Sequence, residues 1–181
     1  MLDIGILREY RAFLEYRILL ALEKRSIEYR ADVTKTLTGG VCALGSHEGY
    51  SITLEKRYHP ILTDIRNRRC DVHWHGTVDH IWEIDRTIKE ISANKLMQAA
   101  EAEKVWVLWA KESEMISLRL MDLTGINILI LGFDIRKLIW DRLLSERFHR
   151  QELQNALSQE ERFSRARSLH ERMLPESGMP G

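Results

Sequence analysis

At 181 residues, 44% hydrophobic and 30% charged, the chain is long enough for one domain with a full core, and two independent domains would be a squeeze. Its 27 basic and 27 acidic residues cancel, so bulk charge gives no support for a nucleic-acid partner and any such contact must come from a local patch. The longest apolar run, residues 126–133, is far too short to span a bilayer, Asp3, Arg8 and Glu9 interrupt any apolar leader, and Cys42 and Cys70 form no CxxC pair; a membrane role, a disulfide scaffold and a thiolate zinc knuckle are set aside, and a cytoplasmic location is expected.

Residues 6–24 predict a helix, with Leu7, Tyr10, Leu14, Ile18, Ala21 and Leu22 on one stripe. At about 100° per residue Glu15 projects between Leu22 and Leu19, so its carboxylate is expected to point toward the buried side. Residues 34–49 hold Gly39, Gly40, Gly45 and Gly49 and predict a flexible loop or loose hairpin. Residues 50–54 form a plausible strand. The basic cluster Arg66, Arg68 and Arg69 follows, which together with Arg86 is a candidate phosphate contact or a solvated loop.

The run from Asp71 to Asp85 carries the most information. Strand side chains alternate faces, so Asp71, His73, His75, Asp79, Ile81, Glu83 and Asp85 share one side of a hairpin. Val72, Trp74, Val78, Trp82 and Ile84 share the other, and His80 alone breaks that apolar side. With Gly76, Thr77 and Val78 as a three-residue loop, His75 falls opposite Asp79 and Asp71 opposite Glu83. Directly opposed residues sit ~5 Å apart at Cβ, close enough to share a divalent cation. Asp71, Glu83 and Asp85 would repel one another unless a cation or protons offset them, so they form a candidate cluster for a hard metal, Mg²⁺, Mn²⁺ or Ca²⁺. On alternation alone, the same face also reads as the solvated side of a half-buried sheet.

Downstream, residues 92–103 predict a helix, with Ser92 as N-cap and Thr87 with Glu90 as a rival capping box. Residues 105–110 and 126–132 predict buried strands, and the charged amphipathic stretch between them implies a parallel crossover. Beyond Phe133, Ile135, Leu138, Ile139 and Leu143 form another helical stripe. The expected organisation is an α/β core over 1–133, a helical extension over 134–174 that offers a surface for a second copy or a protein partner, and a disordered tail over 175–181.

An opening helix with an embedded Glu, three strands of which the second carries Asp71 and the third Glu83-x-Asp85, then a helix and a strand, resembles the PD-(D/E)xK, or restriction-endonuclease-like, superfamily over residues 6–110. The resemblance implies a mixed sheet flanked by helices, Mg²⁺ (or Mn²⁺) held by Asp71 and Glu83, and Glu15 completing the site from the first helix. Asp85 stands where the family usually has the Lys that orients or activates the attacking water, and Cys70 stands where it often has Pro. Lys89 or Lys95 is expected to supply the displaced charge, or Asp85 to serve a second cation. The implied activity is phosphodiester hydrolysis on DNA, with RNA as the other admissible substrate. The alternative is a non-catalytic nucleic-acid-binding or assembly module that keeps the fold.

Other signals have plainer readings. Trp74, Trp82, Trp106 and Trp109 could stack bases but lie on apolar strand positions and are expected in the core. His73 and His75 invite a zinc hypothesis, yet their spacing from Cys70 matches no established ligand pattern, and they read as polar residues lining a groove.

Overall fold

A computed structural model describes residues 2–54, 70–99, 102–144 and 150–174. Among these it has seven α-helices and one five-stranded sheet of order β1-β2-β3-β4-β5. The chain opens with α1 (Ile4–Glu23), whose first turn is capped by the Asp3 carboxylate accepting from the Gly5 and Ile6 N–H groups. Tyr10, Leu14, Ile18, Ala21 and Leu22 of the expected stripe are buried, Leu7 is only partly so, and Phe13 and Leu19 beside the stripe are fully buried.

The glycine-rich stretch is helical, not a loop: α2 spans Arg30–His47. Val33, Leu37, Val41 and Leu44 recur at helical spacing and are buried, and the Asp32 carboxylate caps the start by accepting from the Glu28 and Tyr29 N–H groups. The glycines serve close approach. A Cβ on Gly40 would lie 2.6 Å from Leu14 Cδ2, and one on Gly45 would lie 2.5 Å from both Ile52 Cδ1 and Trp74 Nε1. Of the glycines in this stretch, Gly49, at φ +85°, uses the left-handed conformation, where the chain leaves α2 for the sheet.

Strands β1 (Ser51–Leu54), β2 (Val72–His75) and β3 (His80–Asp85) form an antiparallel meander, and β4 (Glu103–Leu108) and β5 (Ile126–Ile130) add in parallel. The β2–β3 register pairs Val72 with Trp82 and Trp74 with His80, which is the register expected from a three-residue loop. Helix α3 (Glu90–Gln98) supplies the crossover from β3 to β4. It begins at Glu90 after Lys89, so Ser92 sits inside its first turn and caps nothing. The β4-to-β5 crossover holds a 3-10 turn and the single-turn α4 (Met115–Leu118) where a longer amphipathic stretch was expected.

The sheet separates two apolar layers. One contains α1, α2, Val72, Trp74, Trp82, Ile84, Val105, Val107 and Trp109. The other, under α3, contains Cys70, Ile81, Ala93, Leu96, Trp106 and Leu108. Trp74, Trp82 and Trp106 on the strands and Trp109 just past β4 are all fully buried, as core residues should be. His80, the polar intruder on the first layer, bonds the Tyr50 hydroxyl at 3.1 Å, and burial lowers its pKa.

The C-terminal helices α5 (Phe133–Leu144), α6 (Arg150–Leu157) and α7 (Glu160–Met173) close the first layer. Leu153, Ala156, Phe163 and Ala166 are buried in the same core as α1, so much of the extension's apolar stripe is used within the chain. No helix among the described residues is long and apolar enough to cross a membrane.

Candidate metal and acid site

Asp71, immediately before β2, and Glu83 and Asp85, on β3, line one pocket of about 400 Å³. Thr34 of α2, Arg86, Lys89, and Ile91, Ser92 and Lys95 of α3 complete its wall. The two strands bring the carboxylates together because their alternation points residues 83 and 85 to the α3 side while Trp82 and Ile84 fill the opposite core. Lys95 follows Ser92 by three positions and Ile91 by four, so one helical face meets the acids while Ala93 and Leu96 pack beneath.

The electrostatics are tense. Glu83 is 3% exposed, and burial, followed by the neighbouring Asp71 carboxylate, pushes its carboxyl up to about 8 against the opposing pull of Lys95. The Lys95 ammonium sits 2.6 Å from Glu83 Oε1. Burial also raises Asp71, although its Oδ2 accepts the Ile84 backbone N–H at 2.7 Å. Asp85 accepts from Lys89 at 2.5 Å through Oδ1 and from the buried Trp106 indole at 3.1 Å through Oδ2.

Within this pocket Asp85 gives one carboxylate oxygen to Lys89 and the other to Trp106, while its charge also raises Asp71 and Glu83, and Lys95 pairs with Glu83 from α3. Both lysines singled out in the sequence reach the pocket, one on each β3 acid. Arg86 lies on its wall, whereas Arg66, Arg68 and Arg69 fall outside the described residues.

Glu15 is a correction. It is buried as projected, but its Oε1 accepts from Gly132 N at 2.6 Å and Arg11 Nε at 2.9 Å, and its Oε2 accepts from Arg162 Nη2 at 2.7 Å. Arg162 also pairs with Asp134, so Glu15 ties α1 to the start of α5 and to α7. It is absent from the lining of the Asp71–Glu83 pocket. Its apparent fitness as a site residue came from being a carboxylate on an apolar stripe, a position that the half-buried Arg162 partner explains equally well.

Sequence reasoning missed Thr34, because α2 was read as a loop, and the Trp106 indole, because an apolar strand position hid its single polar atom. It also set aside a grouping at the other end of the hairpin. Among the described residues, His73, His75 and Asp79 form the group of three metal-ligating side chains whose ligand atoms all lie within 4.8 Å of one another. Comparisons with protein-family models, with curated proteins and with solved structures found no match for this chain.

Proposed function

We propose that this protein is a metal-dependent nuclease that hydrolyses phosphodiester bonds in DNA, built on a restriction-endonuclease-like arrangement in which α3 supplies the lysine. The observation that carries the reading is the Lys95 ammonium held 2.6 Å from Glu83 Oε1, in a pocket shared with Asp71. The element order supports it: two helices, an antiparallel three-stranded meander, a crossover helix and a parallel strand, with Asp71 immediately before the second strand and Glu83 on the third.

The donor set fits Mg²⁺ or Mn²⁺. Mg²⁺ keeps several waters and takes one or two carboxylates, which is what Asp71 and Glu83 offer. A buried Glu raised by a second carboxylate is also a group that a cation would stabilise. When bound, the cation supplies a Lewis acid for a non-bridging phosphate oxygen and an ionised water near neutral pH. Lys95, positioned by Glu83, offsets charge as it builds on the phosphate and holds a proton at Nζ. Asp85, fixed by the Trp106 indole, keeps Lys89 at the pocket mouth, where it and Arg86 meet the phosphate backbone.

The test is a nicking assay on the purified full-length chain with supercoiled, linear, single-stranded and branched DNA, in Mg²⁺ or Mn²⁺. Wild type should cut, and Asp71→Asn and Glu83→Ala should abolish cutting while circular dichroism stays native. Equal cutting by both variants would remove the site. Binding of DNA without cleavage in either metal would favour the non-catalytic module.

A further inference from the structure

We propose that the turn of the β2–β3 hairpin is a second, chemically different metal centre, in which His73 Nε2, His75 Nδ1 and Asp79 Oδ2 hold Zn²⁺ or another nitrogen-preferring divalent ion of the first transition row. The three side chains converge for reasons of register. His73 and His75 alternate onto one face of β2, and their imidazoles stack with centroids 4.0 Å apart. Asp79 returns on the far side of the turn to face them, its Oδ2 lying 2.8 Å from His73 Nε2 and 3.6 Å from His75 Nδ1. Ligand atoms on a tetrahedral zinc with bonds of ~2.0–2.1 Å lie roughly 3.3 Å apart, so the two distances bracket the required separation.

What distinguishes this from a chance cluster is that the outer atoms of two ligands are already held. His75 Nε2 lies 3.1 Å from Thr53 Oγ1 on β1, and a hydroxyl accepting the Nε2 hydrogen leaves Nδ1 with its lone pair toward the cluster. Asp79 Oδ1 accepts the Gly76 N–H at 3.2 Å, which aims Oδ2 inward. His73 is 6% exposed and brings its ring from the sheet with little rotational freedom. Two imidazoles and one carboxylate select Zn²⁺, Co²⁺ or Ni²⁺ over Mg²⁺ and Ca²⁺.

This centre is separate from the acidic pocket. Asp79 immediately precedes β3 and Glu83 lies four residues further along it, roughly 13 Å at ~3.3 Å per residue, whereas paired catalytic metals sit ~3.5–4 Å apart. The ion would cross-link the hairpin and, through Thr53, brace it against β1. Its existence does not depend on the nuclease reading.

The experiment uses untagged full-length protein stripped with chelator, titrated with Co²⁺ and followed by visible d–d absorption, with Zn²⁺ followed by calorimetry. With a large excess of Mg²⁺ present to occupy the acidic pocket, one tetrahedral Co²⁺ or Zn²⁺ site per chain is expected. His75→Ala and Asp79→Asn should each weaken binding by at least about ten-fold. Glu83→Gln should leave it at the wild-type value. Zn²⁺ should raise the melting temperature of wild type and not of His75→Ala, whose native circular dichroism guards against misfolding as the cause. Absence of tetrahedral Co²⁺ absorption and of Zn²⁺ heat would overturn the proposal. Unchanged affinity in both variants, or loss of Zn²⁺ binding in Glu83→Gln, would do the same.

Discussion

In metal-free protein, Glu83→Gln should become increasingly stabilising relative to wild type as pH rises. The Glu83 carboxyl ordinarily titrates at 4.5, and the fold raises it to about 8. An acid whose folded pKa is raised holds its proton more tightly in the native state, so it costs nothing below the unfolded value, loses stability progressively between 4.5 and about 8, and carries the full penalty above that. At about 1.4 kcal/mol per pH unit of separation, the change between pH 5 and pH 8 is on the order of 3 kcal/mol. Gln is neutral throughout and escapes this slope, at the cost of the Lys95 ion pair, which shifts the offset between the two proteins and only weakly their difference in pH dependence. Urea unfolding in chelator at half-unit steps from pH 5 to 8.5 measures the difference directly. A constant wild-type-to-variant difference across that range would refute the account of Glu83 as a strained, cation-seeking acid. Repeating the series in Mn²⁺ should flatten the wild-type slope, because the cation takes the proton's place.

The two pocket lysines should separate kinetically: Lys95→Met should slow cleavage by two orders of magnitude or so with metal affinity nearly unchanged, whereas Lys89→Met, half exposed on the pocket mouth, should mainly weaken DNA binding, as a nicking assay and a salt-dependent binding titration would read. Glu15→Gln should destabilise by about 2–3 kcal/mol in urea, by weakening the bonds to Arg162 and Gly132, yet leave turnover per folded molecule at the wild-type rate. Within α2, Gly45→Ala should cost about 2 kcal/mol net, since the clash with Trp74 and Ile52 exceeds the ~1 kcal/mol gained in helix propensity, while Gly39→Ala, whose Cβ would meet only Arg17 at 4.0 Å, should stabilise by ~0.5–1 kcal/mol. Thermal melts of both variants compare the two signs.

What the sequence made legible was governed by local periodicity. The β2–β3 register, the division of acids from tryptophans across that hairpin and the stripe of α1 all follow from side-chain alternation or 3.6-residue spacing, and the structure reproduces each. Helix α2 was hidden by its glycines. Val33, Leu37, Val41 and Leu44 carried a helical pattern, but glycine is read as a breaker unless one knows that Leu14 and Trp74 press against those positions. The burial of Glu15 was legible, but its purpose was not, because Arg162 lies 147 residues further on and no local rule links them. Sequence alone makes Lys95 a nearby positive charge, and the packing of α3 beside β3 pairs it with Glu83. The His75–Asp79 opposition could be read from register, whereas the reach of His73 to the same carboxylate depends on rotamers that spacing does not encode.

The central claim is that Asp71 and Glu83 share a divalent cation in the pocket that Lys95 closes. A crystal of the full-length protein soaked in Mn²⁺, with anomalous differences collected at the manganese edge, tests it most directly. The account predicts a peak within bonding reach of the Asp71 and Glu83 carboxylates, with Lys95 still held beside Glu83 and Asp85 still on the Trp106 indole. No manganese peak at Asp71 and Glu83 at saturating Mn²⁺ would contradict it.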